Sequence, residues 1–121
     1  MTKLTIDTFQ NAVDVLLPLP KKSHYLFNLR QVAEVVQGLL SVPLETLTFL
    51  DDKEGYLRRL WLHESLRVYQ DRLIDEADKR QFIDDCLRFE ANNFVKKDDI
   101  EASESIIFCN FFNANASEPV Y

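Results

Sequence analysis

The chain has 121 residues and a mass of 14.2 kDa, enough for one domain with a single core, and 46% apolar against 28% charged residues is the balance of a folded globule. Its only two glycines, Gly38 and Gly55, stand too far apart to build G-x-x-x-x-G-K-[ST] or G-x-G-x-x-G, so no self-contained phosphate-cradling loop is written here. Fourteen basic residues against twenty acidic ones leave a net charge of −6, a field that repels nucleic acid and suits a basic partner.

In the first segment Leu4, Ile6, Phe9, Val13, Leu16 and Leu17 recur at helical spacings. Thr2 or Thr5 is available as N-cap, and Pro18 and Pro20 stop the run. No apolar stretch approaches the ~18 residues that span a bilayer, and no signal or transit sequence is visible, so no membrane partner is expected. After Lys21-Lys22-Ser23 the aromatic run His24-Tyr25-Leu26-Phe27 reads as short and extended. Asn28 then opens a second helix as N-cap, with Gln31 in capping-box position. Leu29, Val32, Val36, Leu39 and Leu40 share one arc of the wheel, with Val35 at its edge, which predicts the buried face. This helix ends near Ser41, ahead of Pro43.

Residues 43–55 read as a loop with room for one helical turn, and Asp51 or Asp52 can cap the long helix after it. Residues 54–73 form the longest periodic segment, and it carries two apolar stripes. Leu57, Leu60, Trp61 and Val68 share one arc, while Leu62, Leu66, Tyr69 and Leu73 share another. A helix with two such stripes belongs between neighbours, at the centre of a bundle. Between the stripes His63, Arg67 and Asp71 stack at i, i+4, i+8 as a polar strip, with Glu64 beside them.

Asp75 caps the next helix, where Phe82, Ile83, Cys86 and Leu87 carry the apolar pattern and whose end falls between residues 92 and 98. Residues 105–112 (SIIFCNFF) are β-branched and aromatic, and predict an extended strand lying on the bundle or pairing with residues 25–27. Cys86 and Cys109 are too few and too distant for a disulfide scaffold, and read as buried free thiols in a reducing setting. The fold class expected is all-α: a small bundle of four to five helices with a short extended C-terminal segment. The close on Glu118-Pro119-Val120-Tyr121, with no polar tail, is expected of a piece of a longer chain.

His63-Glu64 begins the H-E-x-x-H pattern in which two imidazoles one turn apart bind zinc, but the fifth position is Arg67, a fixed cation. No metal site is expected, and the strip reads as helix-surface hydrogen bonds with Glu64 and Asp71 flanking Arg67. The pairs Asp51-Asp52, Asp75-Glu76, Asp84-Asp85 and Asp98-Asp99 read as caps and solvent-facing charge rather than as a catalytic acid and base. No catalytic residue is assigned. Arg30 fits this account badly. It lies in the first turn of the second helix, where the macrodipole disfavours a cation, and it points away from the apolar arc. Such a placement makes sense if an anion such as phosphate arrives there from elsewhere; the plain alternative is an exposed arginine paired with a nearby carboxylate.

The runs Pro18-x-Pro20-x-Lys22-Ser23-His24-Tyr25-Leu26-Phe27-Asn28-Leu29-Arg30, Gln37-Gly38-Leu39-Leu40, Leu60-Trp61-Leu62-His63-Glu64-Ser65-x-Arg67-Val68-Tyr69-x-Asp71-Arg72-Leu73 and Glu118-Pro119-x-Tyr121 resemble the dynein heavy chains, in their axonemal form. The resemblance implies the helical lid of the third AAA+ module of the motor ring over residues 18–121, with residues 1–17 a leading helix that connects from the large AAA+ subdomain or belongs to the lid. It implies that Arg30 occupies the sensor II position, which reaches nucleotide phosphates, supported by the caps Asn28 and Gln31; relatives usually carry Asp where Gln31 stands. Such a lid closes over nucleotide and relays the change round the ring, and is not an enzyme by itself. It would hold no cofactor of its own, ATP or ADP with magnesium belonging to the parent module. Implied partners are the large subdomain, the neighbouring ring module, intermediate and light chains, and microtubules, in cytoplasm, cytoskeleton and the axoneme of a cilium or flagellum. Two rivals are a freestanding acidic helical interaction module and a small hydrolase using the His63 strip.

Overall fold

A computed structural model of the chain describes residues 1–88 together with 98, 100 and 108. These residues form α1 (Thr2–Val15), α2 (Leu29–Leu40), the short α3 (Leu44–Phe49), α4 (Lys53–Ser65), a π-helical turn over Leu66–Gln70, and α5 (Glu76–Arg88). No strand occurs among the described residues, so the class is all-helical, as expected. None of the described helices is long and apolar enough to cross a membrane. The strand expected over residues 105–112, the far end of α5 and the thiols of Cys86 and Cys109 lie outside the described residues. Within that stretch Phe108 is described, its ring edge-on to Tyr56 at 5.5 Å and 5.4 Å from the ring of His63.

α4 is the axis of the bundle. Leu60, Trp61 and Leu62, three residues in succession, are each at most 2% exposed, which only a helix covered on all sides permits. The two expected stripes are thus both turned inward, with Leu57 and Leu66 half-buried and their other members buried. One core joins Leu4 and Ala12 of α1 and its C-cap Leu16, Val35 of α2, Trp61 and Leu62 of α4, Val68, Tyr69 and Leu73 beyond it, and Phe82 of α5. A smaller cluster packs Val42, Tyr56 and Leu60 against Leu47 and Leu50 beside α3.

α1 departs from expectation in both face and cap. Its buried residues are Leu4, Thr5, Thr8 and Ala12, while Ile6 and Leu17 are exposed. Small threonines can face inward because their hydroxyls are satisfied locally: Thr5 Oγ1 donates to Met1 O at 3.1 Å and Thr8 Oγ1 to Leu4 O at 2.9 Å. Trp61 Nε1 then donates to Thr5 Oγ1 at 2.9 Å across the α1–α4 interface. Neither Thr2 nor Thr5 caps the helix; the N-cap is Met1, without a side-chain bond.

The buried face of α2 is likewise rotated. Val35 is fully buried and Gln31 nearly so, while Leu29 and Leu40 are exposed. This face crosses α4, whose Glu64 side chain lies against Gly38 so closely that a Cβ there would collide with its carboxylate. The small residue makes room for that carboxylate on a face that the most hydrophobic arc does not mark.

The π turn is the largest departure along the chain. Asp71 N donates to Leu66 O at 3.1 Å, an i→i+5 bond that shifts the phase of everything after Ser65. The strip His63, Arg67, Asp71 therefore does not run straight. Arg67 donates to Glu64 Oε2 from Nη2 at 2.6 Å and from Nε at 3.0 Å, whereas Asp71 is exposed and acts on Lys79.

Residues 22–25 are pinned to the start of α5. Lys22 Nζ lies 2.6 Å from Asp75 Oδ2 and 2.5 Å from Asp78 Oδ2. The buried Tyr25 donates its hydroxyl to Asp78 Oδ2 at 3.0 Å and accepts from Ile74 N at 2.9 Å. Hydrogen bonds to Asp75 and Asp78 hold the Lys22 pKa above its usual range, and the bond from Lys22 lowers that of Asp78. The carboxylates are not all solvent-facing, for Asp85 is buried, three residues beyond Phe82 on the inward side of α5.

Candidate anion site at the start of the second helix

The local sequence builds the mouth of the site as expected. Asn28 Oδ1 accepts from Arg30 N at 2.9 Å and Gln31 Oε1 accepts from Asn28 N at 2.8 Å, a reciprocal capping box that fixes the first turn of α2. Arg30 leaves that turn outward, with its side chain 81% exposed. It is also paired locally: Nε donates to Glu34 Oε1 at 3.0 Å, one turn on. The guanidinium thus faces open surface and has a carboxylate to rest on.

In front of it lies an open concavity of about 470 Å³ between α2 and the π turn. Arg30, Gln31 and Glu34 line it from one side and Arg67 and Arg72 from the other. Arg72 is held by its Nη2 donating to His24 O at 3.3 Å, with its guanidinium 5.6 Å from the centre of the Phe27 ring. Three guanidiniums thus border one concavity, with Glu34 on the wall and Glu64 behind Arg67. In a chain of net charge −6 this is a local reversal of sign, suited to an anion rich in oxygens.

The structure brings Asn28, Arg30, Gln31 and Arg67 together and leaves His63 and Asp71 out. His63 turns to Phe108, with Nε2 3.9 Å from Glu64. Among the described residues no group of three His, Cys, Asp or Glu side chains could hold a metal. Arg72 is the residue that sequence reasoning missed. On a continuous α-helix it would stand about 140° from Arg67, on a different face; the i→i+5 turn swings it toward the same side. The Asp-Arg-Leu run that contains it was a visible signal, but not of this position.

The described residues thus give a helical bundle whose capped, arginine-bearing second helix faces an open basic concavity, and similarity to known proteins supplies the family. The chain belongs to the AAA+ lid domain family, which matches residues 1–106. Among full-length relatives it is similar to Dynein axonemal heavy chain 2 of Homo sapiens, 41% identical over 83 residues that cover 69% of this chain and 2% of the relative. Dynein axonemal heavy chain 3 of Homo sapiens is 34% identical over 134 aligned positions, covering 100% of this chain and 3% of the relative. The Dynein-1-beta heavy chain of the flagellar inner arm I1 complex of Chlamydomonas reinhardtii is 41% identical over 83 residues, 69% of this chain and 2% of its own length. The axonemal dynein heavy-chain resemblance is borne out, and the chain spans only 2–3% of these relatives. No solved structure gives a significant match.

Proposed function

We propose that this chain is the lid of the third AAA+ module in an axonemal dynein heavy chain, and that it closes on nucleotide held by the large subdomain. Arg30 is the residue assigned to the phosphates, with Asn28 and Gln31 fixing the turn that carries it. The observation that carries this reading is Arg30 projecting over an open concavity with two further guanidiniums on its rim. These residues fit the phosphate end of a nucleotide, which supplies the charge that makes closure favourable; the chain's own part is to present donors and to move as a body. ATP or ADP with magnesium belongs to the parent module. The shared core of α1 with α4 and α5 favours counting residues 1–17 with the lid. Leu44 and Phe49 on α3, exposed by 81% and 76%, suit a surface that packs on another part of a heavy chain, the large subdomain or the neighbouring module. Intermediate and light chains, microtubules and an axonemal location follow from the same reading.

Replacing Arg30 with Ala in a heavy chain that carries this segment is expected to weaken the nucleotide response of the motor about tenfold or more, the scale of a lost charge-assisted contact to phosphate. In the 121-residue chain the same change removes one exposed ion pair, and the melting temperature should move by no more than about 2 °C. An unchanged nucleotide response in the motor would remove Arg30 from this role.

A further inference from the structure

Arg72 differs from the other two arginines of the concavity. Arg30 rests on Glu34 and Arg67 on Glu64, whereas among the described residues Arg72 has no carboxylate partner. Its guanidinium is held instead by a backbone carbonyl and an aromatic ring, contacts that fix its position and leave its charge uncompensated. A cation built this way beside an open concavity is preorganised for an anion. Arg30 is the opposite case: exposed, and neutralised by Glu34, whose own side chain is 37% exposed on the same wall. An anion entering the concavity meets Arg72 free to bind and must displace Glu34 to engage Arg30.

Resting on the lid reading above, we propose that Arg72 is a second phosphate-contacting residue of this site, and that Glu34 is an internal competitor that holds Arg30 until nucleotide phosphate takes its place. The contact pairs a fixed arm with a released one. It requires no covalent step. Phosphate chains, with several oxygens to share between two guanidiniums, gain most from such an arrangement, and single phosphates gain least.

The test is titration of the 121-residue chain with inorganic tripolyphosphate at about 20 mM salt, where screening is weak, followed through the arginine Nε–Hε resonances by NMR. In the unsubstituted chain the Arg72 and Arg30 signals should both shift along one saturation curve, and orthophosphate should bind more weakly. Arg72→Ala should weaken binding about five- to tenfold, with Arg72→Lys between the two. Glu34→Gln, at an exposed pair whose loss leaves the fold intact, should tighten binding about threefold. An Arg72 signal unmoved at saturation, or equal affinity in the Glu34→Gln chain, overturns the proposal whether or not Arg72→Ala folds. If Arg30→Ala weakens nucleotide response in the heavy chain while Arg72→Ala binds tripolyphosphate like the unsubstituted chain, this inference fails and the lid reading stands.

Discussion

Thr5 shows how a single residue can carry more of the fold than its polarity suggests. Its hydroxyl donates back to Met1 O and accepts from Trp61 Nε1, so one oxygen both closes the first turn of α1 and ties that helix to the centre of the bundle. Thr5→Val keeps the shape and removes the acceptor. The expected cost is about 1–2 kcal/mol, that of a buried hydrogen bond whose donor loses this partner, read as a lower urea midpoint with an unchanged m-value. A shift indistinguishable from zero would mean that packing alone holds the indole. Arg30 and Arg72 make the complementary point. Both are guanidiniums on one concavity, yet what each touches, Glu34 in one case and Phe27 in the other, makes one an exchangeable arm and the other a fixed one.

Among the elements, α2 and the π turn decide where the site lies. The capping box of Asn28 and Gln31 was legible in the sequence because it depends on residues three apart and on nothing else. The buried face of α2 was not, because it depends on the crossing with α4, where the Glu64 side chain lies against Gly38. Gly38→Leu is therefore expected to destabilise the bundle by about 1–3 kcal/mol, the range for overpacking a tight contact. The same substitution should disturb the Arg67 resonances by displacing Glu64, and NMR of the two chains checks both effects. A stabilised protein with Arg67 undisturbed would show that the helix crossing is looser than the structure has it. The π turn could not be read either. A five-residue change of helical phase leaves no mark on an apolar pattern that is already double-striped, and it is this change that bends the His63 strip apart and turns Arg72 toward Arg67.

At the level of the whole molecule, the clamp of Lys22 and Tyr25 on Asp75 and Asp78 closes the linker between α1 and α2 onto the start of α5. Its contribution depends on pH in a definite direction. The folded pKa of Asp78 lies below its ordinary 3.8, so its stabilisation is present above that value and lost as pH falls through the lowered one. Lys22 has a folded pKa above its ordinary 10.5, so its stabilisation is full below that value and lost as pH rises through the raised one. Between about pH 5 and 10 the clamp should be constant. Melting curves of the unsubstituted chain and of Asp78→Asn should differ by a steady amount across that window and converge as pH falls through the lowered pKa of Asp78, below which it is protonated in both states. A gap that persists unchanged into acid would show that Asp78 acts through packing and not through charge.

Sequence by itself determined the helical class, the order of the elements, the central place of α4, the capped start of α2 and the membership in the AAA+ lid family, because each rests on local periodicity, local capping or motif order. Tertiary structure alone decided which threonines turn inward, where α2 meets α4, and that Arg72 shares a concavity with Arg30. Those outcomes depend on distances between residues far apart in the chain, such as 24 and 72 or 5 and 61. Side-chain volume and hydrogen-bond satisfaction at a crossing choose among helix faces that a hydrophobic pattern leaves nearly equal.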